Sequence, residues 1–420
     1  MGNYRIKGGR TLAGHINPGG AKNAVLPILA ASVLCDESIL TNVPNLSDVT
    51  LSLDILEQLG CIVGYDGSKV KINSVKADKT TVPTKHVGKM RSSILFLGSM
   101  LGRFGEAEIG LPGGCKLGAR KIDYHLDAFR KMGAVVEENE ERGTIICHVP
   151  NKRLSGADIT LKTPSVGATE NIMLAAVLAD GITTITNAAK EPEIVDLADF
   201  LNKSGAKVIG AGTGEIVVTG VKGLGSVNHR IIPDRIVAGT YLCAVAMTGG
   251  DILLNDVIPT HMTATLNMLR DAGCRIKHGN GYVWIASPDR LKSLKNLTTD
   301  VYPGFPTDMQ AQFAAMQCIA DGECIIRETI FESRDKHFAE LTKMGANIKV
   351  TGDEVTVKGM ARLRGATVAA PDLRGGAALI LAGLAASGET IVNNSEHVER
   401  GYESIEAALS WLGAEISLEP

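Results

Sequence analysis

The stretch Met132–Val136, MGAVV, decides the fold, because it ends a helical run on a glycine and opens an apolar strand two residues later. A glycine in that place reads as a left-handed helix cap, a conformation that side chains with a Cβ resist. The same device recurs in LGCIV at Gly60, SGAKV at Gly205, AGCRI at Gly273, MGANI at Gly345 and LGAEI at Gly413. The six copies stand 68 to 73 residues apart. Repetition at that interval speaks of architecture before any single residue does.

A second signal runs in phase with the first. An apolar helix ends in a Gly or Asp turn and passes to a short strand in LAAVLADGITTITNA, LCAVAMTGGDILLND, MQCIADGECIIRE and LAGLAASGETIVNN. Weaker versions are LAASVLCDESILTNV and LGSMLGRFGEAEIGL. Each unit therefore reads strand–helix–strand–helix–strand–strand. The first helix is apolar all round, which predicts burial, and the second is amphipathic, as in SDVTLSLDILEQLG. The closing hairpin has an alternating second arm: KVKINSV, TIICHVP, EIVVTGV, GYVWIAS and EVTVKGM.

The sixth unit stops at LGAEISLEP and lacks that arm. NYRIKGGRTLAGHI follows the pattern of EVTVKGMARLRGATV, so residues 3–9 are expected to pair with the C-terminal strand. Solenoid repeats are shorter and need polar caps. Buried first helices and termini that must meet favour two lobes of three units. The expected lobes are 21–229, and 1–20 with 230–420, dividing near Gly225–Arg230 (GLGSVNHR). Two connecting strands would form a hinge, with the space between lobes the default ligand site.

Composition excludes several classes. Apolar content of 45% is globular, and no run approaches a membrane span. A net charge of −3 gives no reason to expect nucleic acid or a membrane surface as partner. The start, MGNYRIKGGRTL, lacks a signal peptide's apolar stretch and does not match the myristoylation pattern. Eight scattered cysteines form no CxxC or Cys/His cluster, so neither disulfides nor a metal is expected, and the reading is a reduced, cytoplasmic protein. GxxxxGK[ST], HExxH and GxSxG are absent, and GNGYVW and GAGTGE are strand turns with no helix opening after them.

Candidate chemistry gathers in one loop and at the buried-helix starts. In Leu111–Lys121, LPGGCKLGARK, Cys115 follows two glycines and precedes Lys116, Arg120 and Lys121. Cations lower a thiol's pKa toward neutrality and suit an anionic substrate. The competing reading is a small buried cysteine beside solvated charges. The helix starts GGAKNAVLPIL, GKMRSSILFL, PSVGATENIML, PDRIVAGTYL, PTDMQAQFAA and PDLRGGAALI offer free N–H groups to an anion, and Lys22 and Arg91 add charge at two of them. Asp234 and Asp372 read as N-caps. Asp308 stands one residue further from its proline, where Thr307 could cap instead and leave the carboxylate free as a base. Lone histidines (His125, His261, His397) read as structural.

At this point the residues resemble a known family. GGAKNAVLPILAA, KMRSSILFLG, LPGGCKLGARKIDYH, SVGATENIMLAA, AAKEPEIVDLADFL, PTDMQAQF, ETIFESR and EHVERGYESIEAAL are similar to the UDP-N-acetylglucosamine 1-carboxyvinyltransferases, over essentially all 420 residues. The resemblance implies the inside-out α/β barrel of enolpyruvyl transferases, two lobes of three units. It implies that the 3′-hydroxyl of UDP-N-acetylglucosamine attacks C2 of phosphoenolpyruvate and that phosphate leaves through a tetrahedral intermediate, the first committed step of peptidoglycan precursor synthesis.

By matching motif, the resemblance makes Cys115 the loop acid and the target of the epoxide fosfomycin. Asp308 becomes the carboxylate that handles the hydroxyl proton, and Lys22, Arg120 and Arg400 the cations on phosphate and carboxylate. Asn23 and Arg91 match sugar and loop contacts. Arg120, Lys121, Ile122, Asp123, Tyr124, Lys162, Ser165, Val166 and Ile330 match positions contacting the UDP part, and Gly167 and Arg374 are further substrate contacts. LKTPSVG has one residue more than a common form of its motif, which bears on Lys162–Pro164. No cofactor, metal or obligatory protein partner is implied. Two rivals remain: 5-enolpyruvylshikimate-3-phosphate synthase, which shares the fold and the donor, and a non-catalytic homologue that binds a UDP-sugar.

Overall fold

The computed structural model describes residues 2–82, 87–88, 90–111, 122–139, 141 and 143–420. Among these described residues, six four-stranded sheets are built on one plan. In the third, Asp158–Thr160 runs parallel to Ile182–Thr186, which pairs antiparallel with Glu215–Thr219, which in turn pairs with Lys207–Ile209. The helix Val166–Ala176 links the parallel pair, and Pro192–Lys203 leads into the hairpin. This is the strand–helix–strand–helix–strand–strand order read from the sequence.

The repeated glycines act as predicted. Gly60, Gly133, Gly205, Gly273, Gly345 and Gly413 all have φ between 87° and 108°. The next residue's N–H reaches back five positions each time, Cys61 to Leu56, Ala134 to Phe129, Ala206 to Leu201, Cys274 to Leu269, Ala346 to Leu341 and Ala414 to Leu409. That bond satisfies a carbonyl the helix end would otherwise leave without a partner.

The chain divides into two compact units, residues 20–232, and 2–19 with 233–420. Within 20–232 the apolar helices Lys22–Ala31, Leu95–Phe104 and Val166–Ala176 pack on one another. In the other unit Arg235–Thr248, Gln310–Gln317 and Leu373–Ala385 do the same. Each trio lies at the heart of its own hydrophobic core. The amphipathic helices cover the outside of the units, with one face buried, as in Ser47–Gln58. None of the helices among the described residues is long and apolar enough to cross a membrane.

The N-terminal strand Asn3–Lys7 pairs with Glu415–Glu419 and also with Glu389–Asn393, so it fills the missing arm of the sixth unit. Leu12–Ile16 then runs parallel to Gly250–Asn255 as the first strand of the fourth unit. The stretch Gly225–Arg230, near which the lobes are expected to divide, lies within the 20–232 unit. Val227–Arg230 is a strand parallel to Glu37–Thr41 and supplies the first strand of the first unit. A partner so distant in the chain leaves no local mark in the sequence.

Candidate active-site residues

In the 20–232 unit, the first buried helix begins at Lys22 behind two glycines. A Cβ on Gly20 would lie 1.8 Å from the carbonyl oxygen of Asn42, so only glycine lets the chain enter the helix there. Lys22 is almost fully buried, and its Nζ lies 2.8 Å from Oδ2 of Asp48, in the first turn of Ser47–Gln58. Two buried charges of opposite sign offset each other's desolvation, and the helix start favours the carboxylate. Asn23 follows on the same helix and is half-buried.

Arg91 opens the short 3₁₀ turn Arg91–Ile94 and is half-buried, which lowers its guanidinium pKa through desolvation. His125 is buried, and burial, with Arg91 adding to it, pushes its imidazole down to about 4. Its Nδ1 accepts from Nδ2 of Asn171 at 2.8 Å. Asn171 also donates to the carbonyl of Ile94 and accepts from the N–H of Gly98, tying Val166–Ala176 to Leu95–Phe104 and to the helix Asp123–Lys131 that carries His125.

Two of the segments expected to contact the nucleotide meet here. Tyr124 and Thr163 share a hydroxyl hydrogen bond of 3.1 Å, and a Cβ on Gly167 would lie 3.5 Å from the His125 ring. Ile122 and Asp123 lead into the helix that carries Tyr124, while Lys162 is exposed just before Ser165. Ser165 caps Val166–Ala176 by accepting from Ala168 N.

The other unit presents the reverse charge pattern. Asp234 and Asp372 are N-caps, each accepting two backbone N–H groups. Asp308 does not cap, and neither does Thr307, which corrects the expectation of a free carboxylate. Asp308 Oδ1 lies 2.9 Å from Arg334 Nη2, and its Oδ2 lies 3.1 Å from Arg374 Nη2. Burial alone would raise this carboxyl, but the guanidiniums of Arg374 and Arg334 outweigh it and hold it well below the usual carboxylate range. Thr307 Oγ1 is engaged with Glu328 and Arg334 instead of the helix start.

Around this centre, Gln312 Nε2 reaches the carbonyl of Asp308, the Thr240 hydroxyl and the Tyr402 hydroxyl. Tyr402 also bonds Thr240 and lies beneath the Arg374 guanidinium, 5.5 Å from its ring centre. Arg400 is half-buried in the turn just before Tyr402. Ile330 sits on a surface segment whose N–H is held by Glu328.

Cys115, Arg120 and Lys121 lie outside the described residues, as does most of the loop that carries them. Asp48, Arg334, Glu328, Gln312 and Tyr402 were not singled out by sequence reasoning. A signal for Arg334 and Glu328 existed in ETIFESR, and for Tyr402 in ERGYE, but only tertiary contact gives them a role. Among the described residues, no group of His, Cys, Asp and Glu could hold a metal ion.

Comparison with known proteins agrees with this fold. The family model for EPSP synthase (3-phosphoshikimate 1-carboxyvinyltransferase) matches residues 6–409. The enolpyruvyl transferase NikO of Streptomyces tendae superposes with a TM-score of 0.89 at 24% identity, over 99% of this chain and 98% of that one. EPSP synthase of Acinetobacter baumannii gives 0.78 at 20% identity, over the full length of both chains. The fold is thus that of the enolpyruvyl transferases.

Sequence likeness narrows the class. UDP-N-acetylglucosamine 1-carboxyvinyltransferase 2 of Caldanaerobacter subterraneus is 47% identical over 99% of both chains. The UDP-N-acetylglucosamine 1-carboxyvinyltransferase of Granulibacter bethesdensis is 48% identical over 99% of both. The chain belongs to the UDP-N-acetylglucosamine 1-carboxyvinyltransferase family and is a transferase.

Proposed function

We infer that the protein transfers the enolpyruvyl group of phosphoenolpyruvate to the 3′-hydroxyl of UDP-N-acetylglucosamine, releasing phosphate, as the first committed step of peptidoglycan precursor synthesis in the cytoplasm. The observation that carries the reading is the Asp308–Arg334–Arg374 cluster in a chain nearly half identical, end to end, to relatives of that name. In this reading the lobe 21–229 contributes Lys22, Asn23, Arg91, Arg120 and the Cys115 loop. The lobe of 1–20 and 230–420 contributes Asp308, Ile330, Arg374 and Arg400. The partners are the two small substrates, and no cofactor takes part.

The chemistry requires these types. Phosphoenolpyruvate is polyanionic, so fixed cations must offset its desolvation. The hydroxyl oxygen bonds to C2, its proton passes to Asp308, and the Cys115 thiol protonates C3. Loss of a proton from C3 then expels phosphate from C2. A carboxylate gripped by two guanidiniums is a poor base at rest. Substrate anions that compete for Arg374 or Arg334 would loosen that grip and raise its basicity.

Phosphate release from purified protein tests the reading. Turnover with UDP-N-acetylglucosamine and none with shikimate 3-phosphate is expected; the reverse would assign the sister reaction, and no release with either would leave a binding protein. Fosfomycin sharpens the test. Cys35, Cys61, Cys147, Cys243, Cys274, Cys318 and Cys324 are buried, and burial pushes their thiols up, Cys35 to about 11 and Cys147 to about 12. One adduct per chain, at Cys115, is therefore expected by mass spectrometry. Cys115→Asp should keep some turnover, with a lower pH optimum, and resist the epoxide, whereas Cys115→Ser should be nearly inactive.

A further inference from the structure

We propose that Glu328 is a positioning residue that couples the nucleotide-contacting segment at Ile330 to the carboxylate of Asp308 through the hydroxyl of Thr307. The proposal rests on the roles assigned above to Asp308 and Ile330.

The carboxylate of Glu328 divides its work between its two oxygens. Oε1 accepts from the N–H of Ile330 at 2.9 Å, from the N–H of Phe331 at 3.2 Å and from the Thr299 hydroxyl at 2.9 Å. Oε2 accepts from the Thr307 hydroxyl at 2.9 Å. One side therefore shapes the segment that carries Ile330, and the other reaches the residue next to Asp308.

The direction of the next bond is forced by the groups themselves. A guanidinium has no acceptor, so Thr307 Oγ1 must accept from Arg334 Nη1, which lies 2.7 Å away. Its single proton is then free to go to Glu328. Arg334 in turn presents Nη2 to Asp308 at 2.9 Å, while its guanidinium lies over the Phe331 ring at 4.9 Å. Phe331 is itself held by Glu328. The guanidinium plane is thus set from two sides, by Thr307 at its edge and by Phe331 at its face, and both trace back to one carboxylate.

Thr299 gives that carboxylate a fixed base. It is fully buried, its N–H bonds Arg327 O, and Thr329 bonds both its hydroxyl and its carbonyl. A displacement at Ile330 therefore cannot be absorbed at Thr299. It passes through Glu328 to Arg334 and alters how tightly Asp308 is held. Nucleotide seated on Ile330 is in this way read at the proton acceptor.

Steady-state kinetics on Thr307→Val, Thr307→Ser, Glu328→Gln and the Val/Gln double variant test the relay, with Asp308→Asn as reference and thermal melts as a check on folding. Thr307→Val should lower kcat about 10-fold while the KM for UDP-N-acetylglucosamine stays within about 2-fold. Thr307→Ser should restore kcat. Glu328→Gln should lower kcat and also raise KM. Adding Thr307→Val to Glu328→Gln should cost less than about 2-fold more in kcat, because both act through one path.

Wild-type kcat in Thr307→Val overturns the relay, and so do fully multiplicative effects in the double variant, which would leave Glu328 a loop anchor alone. If Glu328→Gln does not fold, the Val and Ser variants decide by themselves. Full turnover in Asp308→Asn would instead sink the underlying reading. An inactive Asp308→Asn beside a fully active Thr307→Val rejects the relay only.

Discussion

In the 20–232 unit a buried cation, Lys22, is met by the carboxylate of Asp48 at 2.8 Å. In the unit of 2–19 and 233–420 a carboxylate, Asp308, is met by two guanidiniums at 2.9 and 3.1 Å. Both arrangements stand at the start of a buried helix that the repeat places in the same way. The helix trios differ in kind as well. In one, Asn171 joins two of the helices to the neutral His125 beside them; in the other, Gln312 and Thr240 join two helices to Tyr402 beneath a buried arginine. A repeated backbone sets where polar groups can gather, and leaves their sign to the individual side chains.

The most severe way to break the comparison is to delete Met1–Gly9. The strand Asn3–Lys7 lies inside its sheet with partners on both sides, and Tyr4 and Ile6 are fully buried. Those two side chains alone contribute about 1.5–3 kcal/mol each. The truncated protein should lose the cooperative melt of the 233–420 unit by calorimetry. A melt like that of the full chain would show that the strand is dispensable.

Next in size is the removal of one member of each buried pair. Asp48→Ala leaves Lys22 buried without this carboxylate, and Asp308→Ala leaves Arg334 and Arg374 facing each other. Breaking a buried pair in this way costs about 3–5 kcal/mol. Denaturant midpoints would check it, with Asp308→Ala also expected to lower turnover about 100-fold or more. If Asp48→Ala melts as the parent does, the two units are less alike in how they hold charge than the distances suggest.

Each unit also holds a buried histidine whose imidazole burial pushes down, and leucine in its place tells the two apart. His125 and His337 are both pushed down to about 4 by burial. The unfolded chain then binds more protons below the ordinary histidine value, so stability is full above about pH 6.5 and falls toward pH 4, by about 3 kcal/mol for each. His125 accepts from Asn171, so His125→Leu should cost about 1–3 kcal/mol at pH 7 through the stranded amide. Neither ring nitrogen of His337 has a partner among the described residues. His337→Leu should therefore be within about 1 kcal/mol of the parent at pH 7 and less sensitive to acid. Equal costs for the two leucines would refute the distinction. Asp308 behaves oppositely: its depressed pKa stabilises the fold above the ordinary aspartate value and is lost only at strongly acid pH.

The repeated glycines should show equal effects in both units. A Cβ on Gly133 or on Gly345 meets nothing within 4 Å, so the cost of alanine there is the left-handed backbone alone, about 1–2 kcal/mol. Matching shifts in melting temperature for Gly133→Ala and Gly345→Ala would confirm the equivalence. A gap of several degrees between them would break it.

The sequence by itself determined the six-fold repeat, because each unit ends its helix with a glycine that must take a positive φ, a constraint written in single residues. It also determined the closure by Asn3–Lys7, since the missing arm and the supplied arm share one alternating pattern. It marked Lys22, Arg91 and Asp308 as chemically unusual for their helix starts. Tertiary structure decided the rest. Val227–Arg230 finds a parallel partner nearly two hundred residues away, and parallel pairing needs no turn that a sequence could reveal. Asp48 and Arg334 were ordinary charges in the sequence, and burial beside an opposite charge is what distinguishes them. Charge compensation is a property of distance, and only the folded chain brings these groups within 3 Å.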